Sequence, residues 1–300
     1  MKTIYKKLLF VLALILIIGC INYKETITYI SSKYKSITEQ KEYTVKVKTE
    51  SQTLSIPLEE YLVGVVAGEM PVSFELEAIK AQVVAARTFV LSRNLKVDNT
   101  TASQVYLTDN QMKKNWGSHY QENKRKVEKA VKETSYEVMT YEGKYISALF
   151  FSSSNGKTVN CGDYFNGEVV YLKAVDSKWD LTIDPTNKRK KTFTKQQLAN
   201  AFDVKNPDMS ITSYTSSGYV NKVIINDKTY TGREVREKLG LASSCFSIEL
   251  TNKGYVFETS GSGHGVGMSQ YGAQGMAKEK KTYKEILNHY YQNIKIERID

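Results

Sequence analysis

Residues 73–93 repeat their apolar side chains at the spacing of an α-helix, and this segment constrains the fold more than any other in the chain. At about 100° per residue, five apolar side chains fall on one side of the helix; they are Leu76, Ile79, Val83, Ala86 and Val90. Ser73 can cap the N-terminus, and Glu75 and Glu77 in the first turn suit the helix dipole. The segment therefore predicts an amphipathic helix packed against a core.

The rest of the chain mixes strand-like and helix-like patterns. Strands are expected at residues 42–49, 53–57, 137–141, 144–151 and 220–225, and as a hairpin at residues 247–250 and 254–259. Helices are expected at residues 58–67, 122–134, 195–202 and 232–239, and from Met268 onward. The charged residues 179–191 read as a connection. Because strands and helices do not alternate as regular βαβ units, we expect an α+β fold.

The N-terminus predicts export and attachment to a membrane. Three lysines precede an apolar run at residues 8–21, which is typical of a secretory signal. The run is shorter than the roughly 20 residues of a spanning helix, and Ile17-Ile18-Gly19-Cys20 resembles a bacterial lipoprotein signal that would be lipidated at Cys20. An uncleaved signal anchor is the alternative, and either would place the protein at the outer face of the membrane. We therefore expect an anchor or signal at residues 1–20, a polar linker at 21–42 and a folded domain at 43–300.

Composition excludes some classes of partner. The formal net charge is +10, but only seven of the 42 basic residues are arginine, and no nucleic-acid-reading module appears, so no nucleic acid is expected. An anionic polymer or a membrane surface suits such a charge. Cys161 and Cys245 lie far apart in sequence and are expected to be unpaired, with one disulfide as the alternative.

Glu69 is the acidic residue most suited to chemistry. It follows the apolar and small residues 64–68 and precedes Met70-Pro71. A carboxylate in apolar company tends to hold its proton near neutral pH, as a general acid must. The structural alternative is a helix-terminal Glu bonded to nearby backbone amides. The small residues Gly64, Ala67 and Gly68 leave room for another group to approach.

Arg87 lies roughly 60° from the middle of the apolar stripe of the predicted helix. Its guanidinium must reach solvent or meet a carboxylate. A structural arginine bonded to the backbone is one interpretation. The functional alternative is an ion pair with the nearby Glu69 carboxylate, or a contact with the substrate.

Two polar clusters complete the candidate site. Residues 152–158, beginning with Ser152, follow an apolar strand and could line a cleft or form a turn. Residues 260–273 surround His264 with glycines and end near Gln270 and Tyr271. This loop lacks the Lys-Ser/Thr of a phosphate-binding P-loop, and a lone His is weak support for a metal.

Taken in order, the motifs resemble the stage II sporulation protein D family, also called the amidase-enhancer family. The resemblance covers most of residues 44–296 and rests on Glu69-Met-Pro with residues 74–89, then 171–180, 232–236, 263–273 and 283–291. It implies a membrane-tethered lytic transglycosylase that cleaves peptide-free peptidoglycan strands. Glu69 would be the acid and base, and Arg87 matches the family's helix arginine. The partners that the resemblance implies are an amidase/endopeptidase and a membrane protein of forespore engulfment. No cofactor is expected.

We expect a two-lobed body around a central substrate cleft, with Arg87, Ser152, His264, Gln270 and Tyr271 as substrate-binding residues. The chain also departs from the family. Phe151 stands where family members often carry a histidine, and with a single Cys161 nearby it cannot complete a zinc site, so no zinc is expected. Ser262 replaces a tryptophan, which removes an aromatic side chain beside the expected cleft. The alternative function is a non-catalytic module that grips glycan strands and recruits or stimulates an amidase.

Overall fold

The computed structural model describes residues 43–100, 103–165 and 167–299, together with Tyr23, Glu25 and Thr28. Tyr43–Ile299 forms one compact unit. The expected signal segment and linker lie outside the described residues except for those three, so they stay predictions. Among the residues described, no helix is both long and apolar enough to cross a bilayer.

A buried helix stands at the centre of the larger core. Helix α1 (Leu58–Glu69) is followed by α2 (Leu76–Ser92). Helix α2 begins three residues later than expected, and Glu75 rather than Ser73 occupies its N-cap position without a side-chain cap. Every residue of α2 from Ala81 to Leu91 is buried, so the helix is enclosed on all sides rather than on one face.

Four further helices lie along the chain around this core or beside it. They are α3 (Asp109–Trp116), α4 (Tyr120–Glu133), α9 (Gln270–Lys278) and α10 (Tyr283–Tyr290). Helices α1, α4, α9 and α10 all contact α2. Most of the apolar surface of α2 is therefore covered by other helices.

The described residues contain five small sheets rather than one large one. Their strands are β1 (Thr44–Lys48), β2 (Thr53–Pro57), β3 (Lys96–Asp98), β4 (Glu137–Tyr141), β5 (Lys144–Tyr145), β6 (Phe150–Phe151), β7 (Lys188–Phe193), β8 (Met209–Tyr214), β9 (Val220–Ile225), β10 (Lys228–Thr231), β11 (Phe246–Thr251), β12 (Gly254–Ser260), β13 (Met268–Ser269) and β14 (Lys295–Arg298). Their orders are β2-β1-β3, β14-β4-β5, β13-β6, β10-β9-β8 and β11-β12-β7. The expected α+β class is confirmed.

A second buried apolar cluster involves the last two of these sheets, together with α7 (Lys195–Phe202) and α8 (Gly232–Leu239). Both helices have the predicted bounds. The short helix α5 (Cys161–Tyr164) comes earlier in the chain. The prediction of a plain connection at residues 179–191 was wrong, because that segment contains α6 (Asp180–Ile183) and most of β7. Strand β7 lies at the edge of its sheet and is mostly exposed. It therefore carries lysines, and it lacks the alternation of apolar and polar residues that predicts a strand from sequence.

One short parallel pairing brings the two polar clusters together. Strand β6 pairs with β13, so that Phe150 lies opposite Met268 and Phe151 opposite Ser269. A further bridge joins Ser153 to Ser262. The residues that follow each strand, Ser152 and Gln270, are therefore held side by side.

Candidate active site around Glu69

Glu69 is the last residue of α1, and its side chain is half-buried. The main-chain N–H of Val105 donates to Glu69 Oε1 with an N-to-O distance of 2.5 Å. The side-chain amide of Gln270 donates to the Glu69 carbonyl at 2.9 Å. Both the carboxylate and the backbone of Glu69 are thus fixed by groups distant in sequence.

Burial raises the pKa of Glu69, and the Val105 N–H opposes this rise only in part. Within the described part of the chain, no lysine, arginine or histidine forms an ion pair with this carboxylate. A carboxyl group without a cation and with a raised pKa retains its proton closer to neutral pH. Glu69 therefore has the environment of a general acid.

Arg87 does not contact Glu69, so the expected pair is wrong. Its side chain is fully buried and forms two bonds to Glu59, Nε to Oε1 at 2.8 Å and Nη2 to Oε2 at 2.6 Å. Nη1 donates to the Glu137 carbonyl at 3.1 Å. The guanidinium is therefore a structural group, and a substrate cannot reach it in this arrangement.

Helix geometry explains which carboxylate Arg87 meets. A short loop joins α1 to α2, so Glu69 lies near the start of α2. Arg87 is eleven residues further along α2, about 16 Å at 1.5 Å per residue. Glu59 lies ten residues before Glu69, about 15 Å back along α1. The arginine therefore lies beside Glu59.

Gln270, Tyr271 and Ser152 are placed near Glu69. Gln270 is 5% exposed, and besides the Glu69 carbonyl its amide donates to Gln82 Oε1 at 3.4 Å. The main-chain N–H of Tyr271 donates to the Ser152 carbonyl at 3.0 Å. The Tyr271 ring packs edge-on against Phe74 with centroids 5.1 Å apart. The structure thus brings three of the expected substrate-binding residues to the Glu69 end of α1.

His264 lies in an aromatic cluster instead. Its ring centroid is 5.6 Å from that of Phe151, 6.0 Å from Tyr164 and 5.5 Å from Phe165. Its Nδ1 accepts the Val266 N–H at 3.1 Å. Burial lowers the pKa of His264 to about 4, so the imidazole is neutral at neutral pH. Phe151 packs against this ring.

Asp180 is a buried carboxylate that sequence reasoning did not single out. It accepts hydrogen bonds from the Ser154 N–H at 2.8 Å, from Ser177 Oγ at 3.0 Å and from Ser269 Oγ at 2.6 Å, and also from the Ser154 hydroxyl. It joins the segment after β6 to the N-cap residue of α9. The one sequence signal for Asp180 was its place at the end of residues 171–180, one of the motifs that carry the family resemblance.

The Asp180 carboxylate predicts a pH-dependent stability. Burial raises the pKa of Asp180 from 3.8 to about 6, despite the serine hydrogen bonds. A folded-state pKa above the unfolded value means that the contribution is complete below about pH 4 and is lost as the pH rises to about 6. The loss is on the order of 3 kcal/mol. Urea unfolding from pH 4 to 7 should show this decline in the wild type, and the decline should be smaller in Asp180→Asn by the Asp180 contribution. The exposed Asp176→Asn is the control, and an identical decline in all three proteins would contradict the assignment.

No three His, Cys, Asp or Glu side chains are grouped to hold a metal within the residues described. Cys161 and Cys245 are free thiols. The expected absence of zinc stays a prediction.

The chain matches known proteins over most of its length. A family model described as Stage II sporulation protein matches residues 33–141. Stage II sporulation protein D of Bacillus subtilis (strain 168) is 42% identical over 269 residues, covering 84% of this chain and 78% of that protein. The protein of the same name from Bacillus amyloliquefaciens is 43% identical over 261 residues, covering 82% and 76%.

The amidase enhancer of Bacillus subtilis (strain 168) is 30% identical over 292 residues, covering 77% of this chain and 39% of that protein. The two sporulation proteins are matched at high identity over more than two thirds of their own length. The family inferred from the motifs is therefore confirmed, and the chain belongs to the stage II sporulation protein D family.

Proposed function

We propose that this chain is a lytic transglycosylase that cleaves peptide-free peptidoglycan strands between N-acetylmuramic acid and N-acetylglucosamine. The observation that supports this most is the half-buried Glu69 carboxyl, with its raised pKa and with no ion-paired cation among the described residues. Arg87 does not lower the pKa of Glu69 through an ion pair, because its guanidinium is bonded to Glu59.

One carboxyl group suffices for both proton transfers in this reaction. Glu69 donates its proton to the glycosidic oxygen as the bond from that oxygen to C1 of the muramic acid breaks. The Glu69 carboxylate then takes the proton of the C6 hydroxyl as O6 bonds to C1, which closes a 1,6-anhydro ring. The acid is regenerated and no water is consumed. Glycosidases that use water need a second carboxylate beside the bond, whereas this route does not.

The glycan would lie in a cleft next to Glu69. The half-buried Tyr271 and Ser152 are the members of the candidate set best placed to touch it. Gln270 would act by holding the Glu69 backbone, through its bond to that carbonyl. Tethering by the N-terminal segment would keep the enzyme at the outer face of the membrane, among cell-wall strands. A role in forespore engulfment, beside an amidase/endopeptidase and a membrane protein, follows from the family.

A second candidate is a non-catalytic module that binds glycan and stimulates an amidase, which the similarity to the amidase enhancer favours. The products of glycan digestion distinguish the enzyme from the non-catalytic module. The full chain in detergent is incubated with peptide-free glycan strands, and the products are analysed by mass spectrometry. We expect new strands with 1,6-anhydro-muramic ends. Binding of the strands without any new ends would overturn the enzyme and favour the module.

A further inference from the structure

A short segment, residues 103–107, crosses the backbone of α1 beside Glu69 and is called the strap below. It is bonded to α1 at two points. The Leu107 N–H donates to the Gly64 carbonyl at 3.1 Å, and the Val105 N–H donates to Glu69 Oε1 at 2.5 Å. The strap therefore contacts the helix from its middle to the carboxyl group at its end.

Two glycines on one face of α1 let the strap approach this closely. A Cβ added to Gly68 would lie 2.5 Å from the Val105 carbonyl oxygen. A Cβ added to Gly64 would lie 2.3 Å from the Tyr106 ring and 2.5 Å from the Leu107 carbonyl oxygen. Real Cβ atoms do not come so near to backbone oxygen atoms, so any larger residue must move the strap. The room that these glycines leave is thus filled by the chain itself.

Further contacts of its own side chains and backbone hold the strap in place. The Tyr61 ring stacks on Tyr106 with centroids 5.6 Å apart and planes 13° apart. The Tyr61 hydroxyl donates to Gln104 Oε1 at 3.0 Å, and the Tyr106 N–H donates to Asn99 Oδ1 at 2.6 Å. Gln104 is fully buried. The position of the Val105 N–H is therefore set by packing and not by the hydrogen bond to Glu69 alone.

A reaction that uses one carboxyl group makes two opposite demands on Glu69, and the Val105 N–H helps to meet the second. Glu69 must be neutral to give its proton and must then persist as an anion until it takes the second proton. Burial favours the neutral form, whereas a donated N–H favours the anion. Because Oε1 already accepts the Val105 N–H, Oε2 is the oxygen left free to carry the proton.

We propose that the Val105 main-chain N–H stabilises the Glu69 carboxylate between the two proton transfers and leaves Oε2 to exchange the proton with the glycan. This inference rests on the proposed function. Gly64 and Gly68 are positioning residues in it, since they act through the strap.

The other titratable groups around Glu69 do not supply this stabilisation. Tyr61 on α1, Tyr106 on the strap and Tyr271 on α9 all have raised pKa values and are neutral at neutral pH. Lys126 of α4 donates instead to the carbonyls of Val72 at 2.8 Å and Phe74 at 2.5 Å, in the loop after Glu69. The Val105 N–H is thus the described group that bonds the carboxylate directly.

The test replaces the Val105 amide by an ester in the full chain, using the matching α-hydroxy acid, so that the N–H is lost while every side chain is kept. The pKa of Glu69 is followed by carbon NMR of its labelled carboxyl, and glycan cleavage is followed against pH. We expect the pKa to rise by about one unit. The pH at which the cleavage rate falls on the alkaline side of its profile, the high-pH limb, should rise by the same amount. The rate on the plateau should fall roughly tenfold, because the acid is weaker.

The same ester at Lys253, in the turn between β11 and β12, removes an N–H that donates to the Thr251 hydroxyl rather than to the strap or Glu69, so the Glu69 pKa should stay where it is in the wild type. Gly68→Ala should move the pKa in the same direction as the Val105 ester. An unchanged pKa in the Val105 ester would overturn the inference, as would a slower plateau with an unmoved limb, which a purely structural role predicts. The NMR titration needs no substrate. It therefore decides the role of the N–H even if the wild type releases no anhydro ends, a result that would instead overturn the proposed function.

Discussion

Replacing Glu69 by glutamine should lower the cleavage of peptide-free glycan strands by about three orders of magnitude, the typical range for loss of a general acid. Glutamine retains the size of the side chain and can still accept the Val105 N–H at its amide oxygen. Its amide has no acidic proton to transfer to the glycosidic oxygen and cannot act as a base afterwards. The measurement is the initial rate at which 1,6-anhydro ends appear.

The matched control is Glu60→Gln, which makes the same change at an exposed position of the same helix. This variant should cleave at the wild-type rate. Glu69→Gln should keep the wild-type melting temperature, since the Glu69 carboxylate forms no ion pair with any cation in the part of the chain that the structure describes. If Glu69→Gln retained more than about a tenth of the wild-type rate, the assigned role would be wrong.

Removing Glu59 should have the largest effect on stability. Glu59→Ala leaves the guanidinium of Arg87 fully buried with only the Glu137 carbonyl as a partner. Breaking a buried pair in this way costs about 3 kcal/mol, because an unpaired charge stays in the interior. Urea denaturation measures this loss as a lower midpoint at an unchanged slope.

A second variant separates the charge from the packing. The double variant Glu59→Ala/Arg87→Met removes the unpaired cation, so it should be more stable than Glu59→Ala alone. Glu60→Ala, next to Glu59 but exposed, should change the free energy of unfolding by less than about 0.5 kcal/mol. A loss in Glu59→Ala no greater than that in Glu60→Ala would mean that the pair does not support the core.

Local signals in the sequence were enough for several elements of the fold. Helices α7 and α8 have their predicted bounds because each begins with a capping box, Thr194 with Gln197 and Thr231 with Glu234. The strand Val220–Ile225 likewise has the predicted bounds. The start of α2 was misplaced, because Ser73 is a good cap by type while the chain turns into the helix only after Glu75.

The candidate site was harder to predict, because its contacts join residues far apart in the chain. Apolar company marked Glu69, and that local pattern agrees with its raised pKa. The partner of Arg87 depends on how α1 lies along α2, which sequence spacing from Glu69 does not reveal. The Val105 donor is a backbone N–H, so its side chain gave no signal at all. Gly64 and Gly68 were the nearest sequence indication that something approaches the helix there.

The central claim is that Glu69 cleaves the glycan without water. The most direct measurement is digestion of peptide-free strands in water that carries a heavy oxygen isotope, followed by mass spectrometry of the new ends. The account predicts 1,6-anhydro ends that contain no heavy oxygen, because O6 of the sugar itself closes on C1. Reducing ends that carry one heavy oxygen for each cut would show that water is the nucleophile, and would contradict the account.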